Sequence, residues 1–255
     1  MTVANGTLLN YEAATSHSIT VLATSADGSS SSQSFTVNLS DVDEFDVGAV
    51  SDTDAGANQV AENAANGTAV GITASASDAD ATTNTITYSL TDSAGGRFAI
   101  NASTGVVTVA NGTLLNYEAA TSHSITVLAT SADGSSSSQS FTISVGDVDE
   151  FDVGAVSDSN AAANSLAENS ANGTAVGITA SASDADGSNN TITYSLSDSA
   201  GGRFAINAST GVVTVANSTL LNYEAATSHS ITVLATSADG SIQFAELHHQ
   251  PHRCR

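Results

Sequence analysis

The chain has 255 residues, 26 of them acidic and 4 basic, for a net charge of −22. Lysine is absent and the only cations are Arg97, Arg203, Arg253 and Arg255, which excludes nucleic-acid binding through basic phosphate contacts and attraction to an anionic membrane surface. The single cysteine, Cys254, excludes an internal disulfide framework, and no apolar run reaches the roughly 18 residues that a membrane-spanning helix needs.

The chain is internally repetitive. Leu8-Leu9-Asn10-Tyr11-Glu12 recurs as Leu114-Leu115-Asn116-Tyr117-Glu118 and as Leu220-Leu221-Asn222-Tyr223-Glu224, 106 residues apart each time. That period is the size of a domain, so the chain reads as domains in tandem. Met1 aligns with Val107, in the middle of a predicted strand. Residues 1–44 are therefore the back part of a repeat, so the lack of a secretion signal in this segment carries little weight. Residues 45–150 make a complete repeat, and 151–240 most of a third. After Asp239-Gly240 the copy breaks off. Residues 241–255, which carry the only proline and the only cysteine, read as an aberrant tail. On this reading repeat three lacks its usual last strand, and the spare strand Ser34 to Leu39 of the first fragment is available for donation to a second molecule.

Within the complete repeat, apolar and polar residues alternate between turn signals. The pattern predicts strands over 58–61, 68–75, 85–90, 97–100, 106–109, 123–131 and 138–145. Asn66-Gly67, Gly95-Gly96, Thr104-Gly105, Asn111-Gly112 and Asp133-Gly134 separate them. Residues 114–119 fit one helical turn. Seven short strands without a long helix predict an all-β fold of tandem seven-stranded Greek-key sandwiches, immunoglobulin-like in architecture. The inward phase runs through Val70, Ile72, Phe98, Val107, Val109, Leu115, Ile125, Val127, Ile143 and Val145. This core is poor in aromatics, so each domain is expected to be marginally stable without a ligand.

The repeats meet at Asp147-Val148-Asp149-Glu150, three carboxylates on a tetrapeptide that spans only about 10–14 Å when extended. With no lysine or arginine nearby, such charges repel unless a cation sits among them. Oxygen-only ligands select a hard cation such as Ca²⁺.

Six motifs in order resemble the cadherin repeat, in particular the cadherin-like repeats of large bacterial surface and secreted adhesins. They are Ala61-Glu62-Asn63, Asp78-Ala79-Asp80, Ile86-Thr87-Tyr88-Ser89-Leu90, Phe98-Ala99-Ile100 with Thr104-Gly105-Val106-Val107, Leu115-Asn116-Tyr117-Glu118, and Asp147-Val148-Asp149-Glu150. The resemblance covers residues 2–240 and implies calcium sites at the junctions. Between repeats two and three it implies ligands from Glu62, Asn116 and Glu118, from Asp147, Asp149 and Glu150 with the Val148 carbonyl, and from Asp184 and Asp186. Between the first fragment and repeat two it implies Glu12, Asp41, Asp43, Glu44, Asp78 and Asp80. Some positions depart from the family. Asn10, Asn116 and Asn222 stand where the family has an aspartate. Ser131 occupies another ligand position, with Asp133 two residues later and expected in a hairpin turn, so Asp133 and its copy Asp239 are not counted as ligands. The linker also lacks the family's proline.

The expected function is thus a calcium-rigidified spacer or adhesion module of a bacterial cell-surface or secreted adhesin, extracellular or at the bacterial cell surface, and not an enzyme. Its partners would be calcium ions and like repeats (homophilic pairing) or surface glycans. The alternative is a polysaccharide-binding module of an extracellular enzyme. His17, His123 and His229 are expected at the surface. His248, His249 and His252 form a candidate transition-metal trio.

Overall fold

The computed structural model describes residues 1–252, and of Pro251 and His252 only the backbone; Arg253, Cys254 and Arg255 lie outside the described residues. The chain divides into two units, Met1–Gly146 and the remainder from Asp147.

The first unit opens with a hairpin of β1 (Ser16–Thr24) and β2 (Ser30–Asn38), paired antiparallel throughout. Repeat two comes next, with β3 (Ser51–Asp52), β4 (Gln59–Ala61), β5 (Ala69–Ser75), β6 (Thr87–Asp92), β7 (Phe98–Ile100), β8 (Val106–Val109), β9 (Ser122–Thr130) and β10 (Ser136–Gly146). These make two four-stranded sheets, ordered β3-β5-β8-β7 and β4-β10-β9-β6. The first strand of the sandwich is in two pieces. β3 pairs antiparallel with β5 in one sheet, and β4 then crosses to pair parallel with β10 in the other. The residues between the two pieces are fixed by Asp52, whose Oδ1 accepts from the Asp54 and Thr73 amides at 3.0 Å each. The helical turn expected over 114–119 is a short 3-10 turn, Gly112–Leu114, capped by the Asn111 side chain.

The predicted inward phase is the core. Val70, Val107, Leu115, Ile125, Val127 and Ile143 are all fully buried between the two sheets. Alternation along β9 gives this directly, because successive side chains point to opposite faces.

The second unit repeats the design with β11 (Ser157–Asp158), β12 (Ser165–Ala167), β13 (Ala175–Ser181), β14 (Thr193–Asp198), β15 (Phe204–Ile206), β16 (Val212–Val215), β17 (His229–Thr236) and β18 (Ile242–His252). The expectation of a missing last strand does not hold. β18, drawn from the aberrant tail, pairs antiparallel with β17 and parallel with β12, as β10 does in repeat two. Ladder hydrogen bonding at the free edge of β17 recruits a strand whose side chains fit poorly. Ile242 and Phe244 point outward at 53% and 51% exposure, while His249 fills the buried slot held by Ile143 in repeat two. Because His248 is exposed and its neighbour His249 buried, the strand sends them to opposite faces and does not gather the candidate trio. The place for a donated strand is likewise already taken.

The histidines expected at the surface are half-buried. The His123 ring lies 6.3 Å from the Phe98 ring, and His229 lies 6.1 Å from Phe204. Burial, with a smaller contribution from Arg97 or Arg203, lowers both from the ordinary value of 6.5. Folding therefore favours the neutral ring. The stability this carries is complete above pH 6.5 and is lost as pH falls through the lowered folded-state values. Thermal unfolding followed by circular dichroism should show melting temperature declining below that pH, and His123→Phe should flatten the decline for repeat two.

Gly71 is the one residue of β5 with a left-handed backbone, at φ +78°, where the pairing with β8 shifts register. A Cβ there would sit 2.2 Å from the Ala57 carbonyl oxygen. Gly71→Ala should therefore destabilise repeat two by roughly 2–4 kcal/mol in a denaturant titration.

Candidate cation site

Four short segments build the site at the start of repeat two. The segment before β1 carries Glu12, the linker 41–45 leaves the hairpin, the loop after β5 carries Asp78 and Asp80, and the turn between β9 and β10 carries Asp133. Asp80 is the pivot, at 1% exposure. Its carboxylate accepts main-chain N–H bonds from Glu44 at 3.3 Å and Phe45 at 3.2 Å, so the linker wraps onto it. Its own amide donates to Asp78 Oδ1 at 3.1 Å. One carboxylate oxygen each from Glu12, Glu44 and Asp80 lie within 4.8 Å of one another, as do oxygens from Asp43, Asp80 and Asp133.

The remaining sequence-predicted ligands fall around this pair of clusters. Asp41 Oδ2 accepts the Thr82 hydroxyl, while its Oδ1 is buried without a hydrogen-bond partner. Both oxygens of Glu12 are also buried without one. Asp78 Oδ2 accepts the Ser131 hydroxyl, so the serine that replaces a family ligand fixes a neighbouring carboxylate. Asn10 and Asn116 use their amide oxygens locally, accepting from Ala13 and Ala119 at 2.6 Å each. Sequence reasoning left out Asp133 because it lies two residues late. The turn curls it back through bonds from Ser135 to both oxygens, and this returns the carboxylate to the cluster.

The second unit has the same construction. Asp149, Asp186 and Asp239 oxygens lie within 4.8 Å of one another. Asp186, 3% exposed, accepts the Glu150 and Phe151 amides at 3.1 and 3.2 Å. Asp184 accepts the Ser237 hydroxyl, and Asp239 accepts from the Ser241 amide at 2.6 Å. Glu62 and Glu118 belong to the first unit, whereas Asp147, Val148, Asp149, Glu150, Asp184 and Asp186 belong to the second. Glu62 is 2% exposed and accepts the Tyr117 amide at 2.7 Å. Glu168, a position that sequence reasoning passed over, accepts from Tyr223 in the same way at 3.1 Å.

Electrostatics separate the carboxylates into two groups. Desolvation raises Asp43, with Asp133 and Asp80 adding repulsion. Desolvation also raises Glu44, with repulsion from Glu12 and Asp80, and raises Asp149, with repulsion from Asp239 and Asp186. Hydroxyl donors act oppositely. Ser131 lowers Asp78, Ser237 lowers Asp184, and Thr82 lowers Asp41. The two arginines of the complete repeats do not relieve the crowding with their charge. Arg97 donates to the Leu114 and Ala94 carbonyls and Arg203 to those of Leu220 and Ala200.

The Cadherin domain family matches residues 57–146 and 163–248, more than half of the sequence, and the chain belongs to that family. Its repeats are adhesion-type modules. The chain is 35% identical over 166 residues to human protocadherin Fat 4, covering 64% of this chain, and 37% identical over 170 residues to the mouse protein. It spans about 3% of the length of either relative. Mouse cadherin-23 EC22–24 superposes with a TM-score of 0.73 at 26% identity, covering 96% of this chain and 77% of that one. The protocadherin gammaB7 EC3–6 cis-dimer structure gives 0.75 at 22%, covering 96% and 60%, which establishes the fold alone.

The raised groups give a signed prediction. Asp43 and Glu44 have folded-state values above their unfolded ones, so their share of metal-free stability is complete at low pH and lost as pH rises through the raised values. In chelator at pH 7, Asp43→Asn should raise the melting temperature. In excess Ca²⁺ the same variant should melt lower than the parent, and differential scanning calorimetry reads both signs.

Proposed function

We propose that the junctions bind Ca²⁺ and that the chain is a calcium-rigidified spacer and adhesion module of a larger extracellular or cell-surface protein. The observation that carries this reading is the recurrence of one arrangement at both linkers. In each, a nearly buried aspartate is gripped by linker amides and shares its cluster with a linker aspartate and a turn aspartate.

The residues present fit a hard divalent cation. The donor set is all oxygen, and the buried oxygens of Glu12 and Asp41 that lack hydrogen-bond partners are what a cation satisfies. At the first junction, Glu12, Asp41, Asp43, Glu44, Asp78, Asp80 and Asp133 would hold the ions. The 106-residue repeat assigns Glu118, Asp147, Asp149, Glu150, Asp184, Asp186 and Asp239 to the second junction, with Glu62, Asn116 and the Val148 carbonyl completing it. A bound cation supplies the positive charge that cancels repulsion among these groups. The protein's own part is to present them from four segments that meet around Asp80. Without the ion the linker carboxylates repel and the repeats swing; with it the linker is tied to the loop after β5.

The cadherin match over both complete repeats favours this reading over a polysaccharide-binding module. Near-identity of the repeats fits a stalk that lengthens by duplication, as in a bacterial adhesin, although the Fat 4 relatives are animal proteins. Homophilic pairing of like repeats is the adhesive partner this reading assigns.

Small-angle X-ray scattering of the chain should show a larger and better-defined maximum dimension in Ca²⁺ than in chelator. An identical scattering curve in the two conditions would refute rigidification. Asp80→Asn should weaken calcium binding by at least about tenfold, since it removes a charged oxygen shared by both clusters.

A further inference from the structure

Among the described residues, six other than glycine have a left-handed backbone, and they fall in three pairs of equivalent positions. Asn63 is matched by Asn169 and Ala94 by Ala200, so two pairs carry the same residue in both repeats. The third pair differs. Thr83, at φ +58°, is matched by Asn189, at φ +55°. Asparagine enters this region readily, whereas a β-branched residue does so only under strain. Repeats two and three thus take the same bend at different cost.

The bend lies in the loop that carries Asp78 and Asp80, and it aims one carbonyl. The Thr83 carbonyl accepts the Ser131 hydroxyl at 3.0 Å and the Asp133 amide at 3.1 Å. Ser131 in turn donates to Asp78, and the neighbouring Thr82 hydroxyl donates to Asp41 on the linker. In repeat three the Asn189 carbonyl accepts from the Ser237 hydroxyl and the Asp239 amide, each at 3.1 Å. The left-handed residue therefore ties the turn aspartate to the Asp-x-Asp loop in both repeats. Thr83 and Asn189 are both exposed, so burial in the core does not hold the bend.

We propose, building on the calcium-binding function above, that the residue at this bend is a positioning residue that sets how tightly its repeat holds Ca²⁺, and that Thr83 gives repeat two a weaker site than asparagine would. Without the ion, Thr83 leaves the left-handed conformation more often than Asn189 does, and each departure releases Asp133. Binding must then restore the bend, and apparent affinity falls with the fraction of molecules that hold it. A repeat with threonine at the bend gives up its ions at a higher free Ca²⁺ concentration than the same repeat with asparagine there. One exposed side chain thus decides where along the chain stiffness is lost first.

Two amides report the two loops separately, those of Asp133 and Asp239. Their NMR signals are followed on the full chain, first by hydrogen exchange in chelator and then through a titration with Ca²⁺ alone. Thr83→Asn should slow exchange of the Asp133 amide in chelator about three- to tenfold and lower its Ca²⁺ midpoint by a similar factor, with the Asp239 midpoint unmoved. Asn189→Thr should do the reverse at Asp239. Thr83→Val keeps the β-branch without the hydroxyl and should behave as the parent; a valine variant that matches Thr83→Asn overturns the proposal. Unchanged midpoints in Thr83→Asn and Asn189→Thr overturn it too, and leave calcium binding itself standing. Tighter binding without slower exchange in chelator also overturns it, because the new amide would then be ligating the ion. Absence of any Ca²⁺ response at both amides defeats calcium binding and the proposal together.

Discussion

The structure depends on a carboxylate that folding buries against linker amides and beside other carboxylates. Asp80 and Asp186 sit almost out of solvent, each held by two amides of the linker that precedes its own repeat. Those bonds orient the linker but leave a net negative charge in a poorly hydrated place. Neighbouring carboxylates from the linker and the β9–β10 or β17–β18 turn add to it. A buried charge of this kind is costly unless something positive joins it. Arg97 and Arg203, engaged with main-chain carbonyls, do not play that part. The Ca²⁺ we propose would supply that positive partner at each linker.

The thin cores add to what such an ion would contribute. Valine, isoleucine and alanine fill the sandwiches, with Phe98 or Phe204 the one buried phenylalanine of each. Such a core does not hold a large excess of stability. Binding energy from the proposed ion, which would recognise only the folded state, would then matter to the fold as well as to the junction. Where the core pattern is altered, in β18, the backbone ladder still forms and accepts a histidine in an isoleucine's place.

Much of this was legible in the sequence. Strict alternation marked β5, β8, β9 and β10, and the inward phase matched the buried set, because a sheet buried on one face leaves no freedom of register. The split first strand was not legible, since β3 is only two residues long and is defined by its pairing with β5. β18 was missed because its apolar residues Ile242 and Phe244 fall on the outward phase and a histidine falls on the inward one. Among site residues, Asp-x-Asp and the linker acids stood out by spacing. Asp133 and Asp239 did not, because turn curvature rather than strand position brings them back. Local use of the Asn10 and Asn116 amides was equally invisible, as nothing in a sequence tells a capping amide from a ligating one.

The most direct measurement of the central claim is a calorimetric titration of Ca²⁺ into the chain stripped of divalent ions, with Mg²⁺ as the competitor. The account predicts saturable binding of more than one Ca²⁺ per chain, weakened in parallel with loss of carboxylate charge as pH is lowered. An absence of binding heat together with a melting temperature indifferent to chelator would contradict it.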